Sequence, residues 1–320
     1  MRAAVLTGQG GPPRVAEVAA PSVRAPEDVL VRVLTSSLNH ADLDAVAQAR
    51  DGVPGGLGLD FAGLVVEAGS AVADLAPGDG VLGFLPPGVP HEGPGAFAEY
   101  LVVPARLLAR RPATLDFVQS GVLPLAGTAA LLAVDAVVPP RRSRLVAPTR
   151  GPVLVVGGSG GVGTLAVQVA NARGAAVVST GQPQDRTLLH LLGAIEVLDY
   201  SGDWLPEVRE RYAEGVDGLV DLVSDADRFV ILSELVRPGG RVASTRGAAD
   251  VSALARRGVT AVNVVARSDR ELLGRLVDCA DAGTLQPVID RVINLSDLPS
   301  ELGASPRPHG CGKVAVTIGD

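Results

Sequence analysis

Aromatic side chains are scarce in this chain of 320 residues: one Trp, three Tyr and five Phe, 3% of the total. A pocket working through ring stacking or a phenolic proton has few residues to draw on. Cysteine is scarcer still. Cys279 and Cys311 are far apart, stand in no metal-ligand spacing, and are expected to be reduced thiols of a cytoplasmic protein. There are four histidines, and neither His40 nor His91 has a thiolate nearby in sequence, so no metal site is expected. Positive charge is not in excess. Lys and Arg total 28 against 35 Asp and Glu, a net charge of −7, which leaves no basic stripe to displace counterions and argues against nucleic acid as a partner. The opening Met-Arg-Ala-Ala-Val-Leu-Thr-Gly is too short in apolar length for a secretory signal.

A clean membrane span is also missing, although one segment imitates it. Gly121 to Val138 carries Asp135 as its only charge and is followed by Pro139-Pro140-Arg141-Arg142. Pro124 and Gly127 interrupt it, and a buried helix is expected there instead, with no membrane partner. The arginines Arg141, Arg142, Arg144 and Arg150 are expected in a solvated surface loop. No internal repeat is present.

Apolar residues, 47% of the chain, suffice for a large core, while 39 glycines and 24 prolines call for many turns. The length suggests about two domains. Residues 1–120 hold short apolar runs, Val29 to Leu34, Gly63 to Glu67 and Tyr100 to Val103, between Gly- and Pro-rich breaks, the pattern of a β-rich domain. Residues 121–267 alternate strand-like runs with helical patterns: Ala176 to Thr180, Ile195 to Leu198, Gly218 to Val223, Gly240 to Ser244 and Val259 to Ala266 are expected strands. Such alternation implies an α/β domain with a doubly wound parallel sheet. Residues 268–320 contain an expected helix, Glu271 to Ala282, and a strand-like Lys313 to Ile318 that can return to the first domain.

The most informative stretch joins these patterns. Val153 to Val156 is an apolar, β-branched run of the kind buried on both faces. It meets a glycine cluster in which Gly158, Gly160 and Gly163 stand at the G-x-G-x-x-G spacing. Val162, Ala166, Val169 and Ala170 then recur at helical spacing. Strand, glycine turn and helix in that order is the setting a dinucleotide fingerprint needs. The glycines permit positive φ, close approach of backbone to a diphosphate and close helix–strand packing. The first helical turn, Gly161 to Gly163, offers unpaired N–H groups and the positive end of the helix dipole.

The chain resembles the medium-chain dehydrogenase/reductase superfamily, in its zinc-independent quinone-oxidoreductase branch. Leu38-Asn39-His40-Ala41-Asp42 is similar to that branch's Val-Asn-Pro-x-Asp, and Gly58-Leu59-Asp60-Phe61-Ala62-Gly63 to its G-x-D-x-A-G. Pro77-Gly78-Asp79-Gly80-Val81, Gly95-Ala96-Phe97-Ala98-Glu99-Tyr100, Leu192-Gly193-Ala194, Gly239-Gly240-Arg241-Val242 and the closing Gly312-Lys313-Val314 extend the match over nearly the whole length. The resemblance implies a GroES-like β-barrel catalytic domain plus a Rossmann doubly wound parallel sheet, with nicotinamide and substrate meeting in a cleft between them. Zinc-bearing relatives place a cysteine near Asn39 and Gly-His-Glu where this chain has Gly58-Leu59-Asp60, so the resemblance implies no zinc. It also implies a cofactor site that includes Asn39, Thr128, Gly158, Ser159, Gly160, Gly161, Val162, Gly163, Thr180, Gly181, Arg186, Tyr200 and Lys313.

NADPH is the expected cofactor. An NAD-specific site sets an acid at the end of the second Rossmann strand, about 20 residues beyond the glycines, whereas here that strand ends Val178-Ser179-Thr180-Gly181-Gln182. Small polar groups and Arg186 can accommodate a 2′-phosphate, and Tyr200 matches a family tyrosine near that ribose. Asp185 weighs against this; the bland alternative makes Asp185 and Arg186 the exposed start of a helix. At the active site the resemblance thins. Asp44 stands where many quinone reductases carry a tyrosine, and Thr128 is followed by Ala129, Ala130 and Leu131 instead of an aromatic pair. Asn39, His40, Asp42, Asp44 and Thr128 are left as polar lining. His40, Asp42 and Asp44 are the candidate catalytic residues: His40 as proton donor, Asp42 more readily as a structural carboxylate, like Asp60. The expected reaction is hydride transfer to a quinone or an α,β-unsaturated carbonyl. The alternatives are a tailoring step on a bulky natural-product intermediate and nucleotide binding without catalysis. The uncharged, proline-free run Val259 to Ala266 suggests a homodimer joined edge to edge.

Overall fold

The structure, a computed structural model, describes residues 1–7, 11–48, 56–86, 93–139, 151–303 and 310–319. His91 and the four arginines between positions 141 and 150 lie outside the described residues. The strands are β1 (Arg2–Val5), β2 (Arg14–Glu17), β3 (Asp28–Ser37), β4 (Asp60–Ala68), β5 (Gly80–Phe84), β6 (Tyr100–Pro104), β7 (Leu108–Arg110), β8 (Pro152–Val156), β9 (Ala176–Gly181), β10 (Ala194–Asp199), β11 (Val216–Asp221), β12 (Val236–Ser244), β13 (Thr260–Asn263), β14 (Ile289–Asn294) and β15 (Lys313–Thr317). The helices that bear on function are α1 (His40–Ala47), α2 (Phe117–Gly121), α3 (Pro124–Val137), α4 (Gly161–Ala172) and α5 (Arg186–Leu191).

The chain gathers into two units. The first comprises Met1–Thr128, Arg267–Gly283 and Ile289–Asp320; the second comprises Ala129–Ala266 and Thr284–Val288. In the first unit a seven-stranded sheet runs β14-β15-β3-β4-β5-β7, with β6 also on β3, and β1 and β2 pair separately. Its organising strand is β3, in which Val29, Val31 and Val33 are buried in strict alternation, as the period of a half-buried strand requires. Phe61, Phe97, Leu57 and Leu101 pack beside them. The C-terminal β15 lies antiparallel to β3, placing Ala315 opposite Ser37, and parallel to β14.

The second unit is a six-stranded sheet in the order β10-β9-β8-β11-β12-β13, with every neighbouring pair parallel. Val153 to Val156 are buried on β8. The chain leaves β8 outward to β9 and β10, then returns to β11 and moves out the other way. In open α/β sheets such a reversal marks the crevice where ligands settle, at the carboxyl ends of the strands.

Two expected elements take a different form. Val259 to Ala266 becomes a strand only over Thr260–Asn263, because β12 ends at Ser244, which stands opposite Asn263. One further bond, from the Val264 N–H to the Ser244 carbonyl at 2.7 Å, closes the ladder. Gly121 to Val138 spans the end of α2 and all of α3. Pro124 begins α3, where its missing N–H costs nothing. Gly127 lies so close to the helix Arg270–Asp281 that a Cβ would sit 2.5 Å from Leu276 Cδ1. Among the described residues no helix is long and apolar enough to cross a membrane.

Candidate functional site

In the second unit the residues expected to meet a nucleotide gather at the carboxyl ends of β8, β9 and β10. The turn after β8 starts one residue before the fingerprint spacing, at Gly157, whose φ of 89° favours glycine. Its N–H donates to Thr180 Oγ1 at 2.9 Å, and the Gly158 N–H donates to the Thr180 carbonyl at 3.1 Å. The end of β9 thus holds the glycine turn in place. A Cβ on Gly158 would run into Ser179 Oγ, and one on Gly163 into the Gly157 carbonyl. Gly160 differs: it is the N-cap of α4, no side chain caps it, and a Cβ there would meet only the Gly157 oxygen, at 3.4 Å. Tight glycines on either side and one open glycine beneath an uncapped helix start make a cradle for a diphosphate, where backbone donors and the helix dipole act together. Ser159 lies in the same turn, and Gly161 and Val162 are the first two residues of α4.

Beside it, register pairs Leu198 with Thr180 and Asp199 with Gly181, which carries Tyr200 to the end of β9; its N–H donates to the Gly181 carbonyl at 3.3 Å. Burial pushes the Tyr200 phenol up, against a hydrogen bond from the Gln182 side chain. Asp185, expected at an exposed helix start, is buried, and its Oδ2 accepts the Gln182 N–H at 3.1 Å. Arg186 is exposed at the first position of α5; hydrogen bonds from Ser201 hold the Asp199 carboxyl down, and the Arg186 charge adds to them. Small polar groups and one cation therefore surround the strand end.

In the first unit three distant segments converge on a buried carboxylate. Asp60, fully buried on β4, accepts at Oδ2 from Ser37 Oγ (2.6 Å), Asn39 Nδ2 (3.1 Å) and Lys313 Nζ (3.5 Å), and at Oδ1 from the Leu125 N–H (2.6 Å). Lys313 Nζ also donates to Asn39 Oδ1 (2.5 Å) and the Leu38 carbonyl (2.9 Å). Both ends of the Asn39 carboxamide are thus engaged within the unit, since Nδ2 reaches the Ser37 carbonyl as well. Burial pulls the Lys313 ammonium down, while Asp60 and Asp42 favour its charge. Asp42 is buried, and its oxygens accept the N–H of Asn39 at 2.8 Å and of Gly58 at 2.9 Å. Asn39, the N-cap of α1, is therefore fixed by three charged partners, Asp42, Asp60 and Lys313. His40 and Asp44 lie on exposed positions of α1. Thr128, buried in α3, donates to the Leu125 carbonyl at 3.1 Å. Among the described residues no group of three or more His, Cys, Asp and Glu is disposed to hold a metal ion.

Spacing in the sequence singled out the glycine turn and the end of β9, and the family resemblance singled out Asn39, Thr128, Tyr200 and Lys313. Both missed Gly157, although the doubled glycine was visible, and Ser179, whose hydroxyl explains Gly158. Both also missed Asp221 on β11, a lone acid after an apolar run with no motif around it.

Residues 25–113 match the alcohol dehydrogenase GroES-like domain and residues 161–278 the zinc-binding dehydrogenase family. The NADPH-dependent alkenal/one oxidoreductase of Arabidopsis thaliana is 30% identical over 308 residues, covering 91% of this chain and 72% of that protein. The quinone-oxidoreductase QR1 of Triphysaria versicolor is 30% identical over 335 residues, covering 99% and 98%. The quinone oxidoreductase of Coxiella burnetii superposes with a TM-score of 0.84 at 26% identity, covering 99% of each chain. The chain belongs to the medium-chain dehydrogenase/reductase superfamily, in its quinone-oxidoreductase-like branch. Its fold is accordingly a GroES-like domain plus a Rossmann-type parallel sheet.

Asp42 gives the first unit a measurable pH signature. Burial raises its carboxyl from 3.8 to about 6, against the opposing pull of the two backbone donors and Lys313. The folded chain then holds a proton that the unfolded chain has released. The stability this contributes is complete below pH 3.8 and lost as pH rises through about 6. That interval corresponds to about 3 kcal/mol. Asp42→Asn stays neutral throughout, so the advantage of the parent over the variant in thermal melting is expected to shrink between about pH 4 and pH 7.5. A gap that does not change with pH would show that Asp42 titrates as an ordinary surface acid.

Proposed function

We propose that this protein is an NADPH-dependent oxidoreductase that reduces quinones or α,β-unsaturated carbonyls without a metal. The observation that carries the reading is the uncapped start of α4 at Gly160, set between glycines that admit no side chain, next to the strand end Thr180-Gly181-Gln182, which carries no acid, and with Arg186 exposed nearby. The names of the Arabidopsis and Triphysaria relatives point the same way. When bound, NADPH supplies the hydride. Backbone N–H groups of Gly161, Val162 and Gly163 would hold its diphosphate, with Gly158 and Gly160, whose own N–H groups bond Thr180 and Gly157, giving it room beside Ser159, while Thr180, Gly181, Arg186 and Tyr200 would receive the 2′-phosphate and its ribose. Asn39 and Lys313 set the start of α1, and Thr128 supplies a polar position on α3. With no Lewis acid, hydrogen bonds must polarise the substrate carbonyl, which suits conjugate reduction of an already activated double bond. The reduced substrate then takes up one proton. His40, exposed at the first position of α1 with no carboxylate fixed against it among the hydrogen bonds of this region, is the donor we assign, with water as the alternative. Asp42 positions rather than reacts, and Asp44 adds a negative charge on the same helix.

We further propose that the protein acts in the cytoplasm as a homodimer joined through β13. That strand is the outer member of its sheet, is free of Pro and charge, and exposes Val262; pairing with a second copy would satisfy its open edge. Val262→Lys should then yield a monomer in sedimentation at micromolar concentration, and an unchanged dimer would place the interface elsewhere.

Gly160→Asp tests the nucleotide reading. A side chain fits at that position, so the variant should fold and melt like the parent, yet its carboxylate faces the diphosphate and should abolish NADPH binding in calorimetry. The parent should prefer NADPH to NADH by at least about tenfold, the worth of one charge-assisted contact to the 2′-phosphate. Unaltered NADPH affinity in the folded variant, or equal affinity of the parent for both nucleotides, would contradict the assignment.

A further inference from the structure

Of the buried ionisable groups that hydride transfer does not use, Asp221 occupies the most telling position. It ends β11 and stands opposite Val156, the residue before Gly157. It therefore lies where the strand order reverses between β8 and β11. Asp221 is fully buried. Its Oδ1 accepts from Ser224 Oγ at 3.0 Å and from the N–H groups of Ser224 and Val223 at 3.3 and 3.4 Å. With the Leu222 N–H donating to the Val156 carbonyl at 3.1 Å, these bonds fold residues 222–224 into a turn that returns toward β8.

That turn packs on the glycine turn. Val223 Cγ1 lies 2.7 Å, and Leu222 Cβ 3.5 Å, from where a Cβ on Gly157 would stand. Val223 is nonetheless 58% exposed, an apolar side chain presented at the carboxyl end of the sheet. The other carboxyl oxygen, Oδ2, is buried with no hydrogen-bond partner among the described residues, so the side chain acts on the turn through Oδ1 alone. Burial pushes the Asp221 carboxyl up, against the hydrogen bonds from Ser224, Val223 and Leu222.

We propose that Asp221 is a positioning residue of the nucleotide site: by clamping Leu222–Ser224 it holds Val223 beside Gly157 as the apolar platform for the nicotinamide half of the dinucleotide. The assignment rests on the nucleotide reading above. The choice of half follows from the topology, because the β8–β9–β10 side, with Thr180, Arg186 and Tyr200, receives the adenosine end. The β11 side is what remains for the other mononucleotide.

The test compares NADPH with 2′,5′-ADP, which lacks the nicotinamide half, by calorimetry on the parent chain and its variants. Asp221→Ala should weaken NADPH binding about tenfold, the loss expected from a displaced charge-assisted clamp, while 2′,5′-ADP affinity stays within about twofold. Asp221→Asn keeps an oxygen for the Ser224 and Val223 donors and should recover most of the NADPH affinity. A folded Asp221→Ala that binds NADPH like the parent would overturn the proposal. So would equal weakening of both ligands, or an Asn variant as damaged as the Ala variant. If Asp221→Ala does not fold, Val223→Gly and Ser224→Ala decide by the same comparison: selective loss of NADPH affinity upholds the platform, and parent-like or equal loss refutes it. A parent chain that binds neither ligand would overturn the nucleotide reading and this inference together, whereas a parent that binds both, with indifferent variants, overturns this inference alone.

Discussion

The first unit depends on the burial of Asp60. A carboxylate withdrawn from water is tolerable only if its oxygens are satisfied, and here four donors from three segments do so: Ser37 at the end of β3 with Asn39 at the start of α1, Lys313 on β15 and the backbone of Leu125 on α3. Removing one partner from a buried ion pair commonly costs about 3–5 kcal/mol, because the remaining charge is left unpaired. The consequence is geometric. Lys313 lies 275 residues beyond Leu38, yet one ammonium bonds the Leu38 carbonyl, Asn39 and Asp60, so the last strand is held to the first helix. His40 inherits a fixed position from that arrangement, since it follows the residue most tightly held.

The second unit solves a different problem, how to bring backbone close to an anion. The glycine turn after β8 has no side chain of its own to shape it. Its neighbours do so: Thr180 accepts at its hydroxyl and its carbonyl, Ser179 fills the space that a Cβ on Gly158 would need, and Val223 leans on Gly157. The cradle is therefore a joint product of three strand ends, with β9 and β11 supplying the walls. The same β9 residues that would bear on the choice between 2′-hydroxyl and 2′-phosphate also hold the glycine turn in place. On the proposed reading, Thr180 would couple specificity to binding.

Much of this was legible in the sequence, for reasons that differ by element. The buried strands Val29 to Leu34 and Val153 to Val156 declare themselves through β-branched runs and alternation, and they fall inside β3 and β8. The glycine turn was legible from spacing, but spacing does not say which glycine takes positive φ; that depends on hydrogen bonds from β9, and Gly157 takes it. Val259 to Ala266 reads as a long strand, but strand length is set by the partner, and β12 ends at Ser244. Asn39 and Lys313 carry no local signal for each other. Their meeting at Asp60 is a long-range event that only the fold supplies, and it engages side chains whose resemblance-based role was contact with the cofactor. Asp221 was invisible for a related reason: one acid closing Gly-Leu-Val-Asp gives no hint that its carboxyl bends the chain back over a glycine three strands earlier in the sequence.

On the proposed reading, reduction without a metal would place the whole burden on a well-held nicotinamide and an activated acceptor. The most direct measurement is the fate of a label. With NADPH carrying deuterium at C4, in the presence of a strong chelator and an α,β-unsaturated ketone as acceptor, the deuterium should appear at the β-carbon of a saturated ketone, with the α-hydrogen drawn from solvent. Deuterium at the carbonyl carbon of an alcohol, or turnover that stops when the chelator is added, would contradict metal-free conjugate reduction.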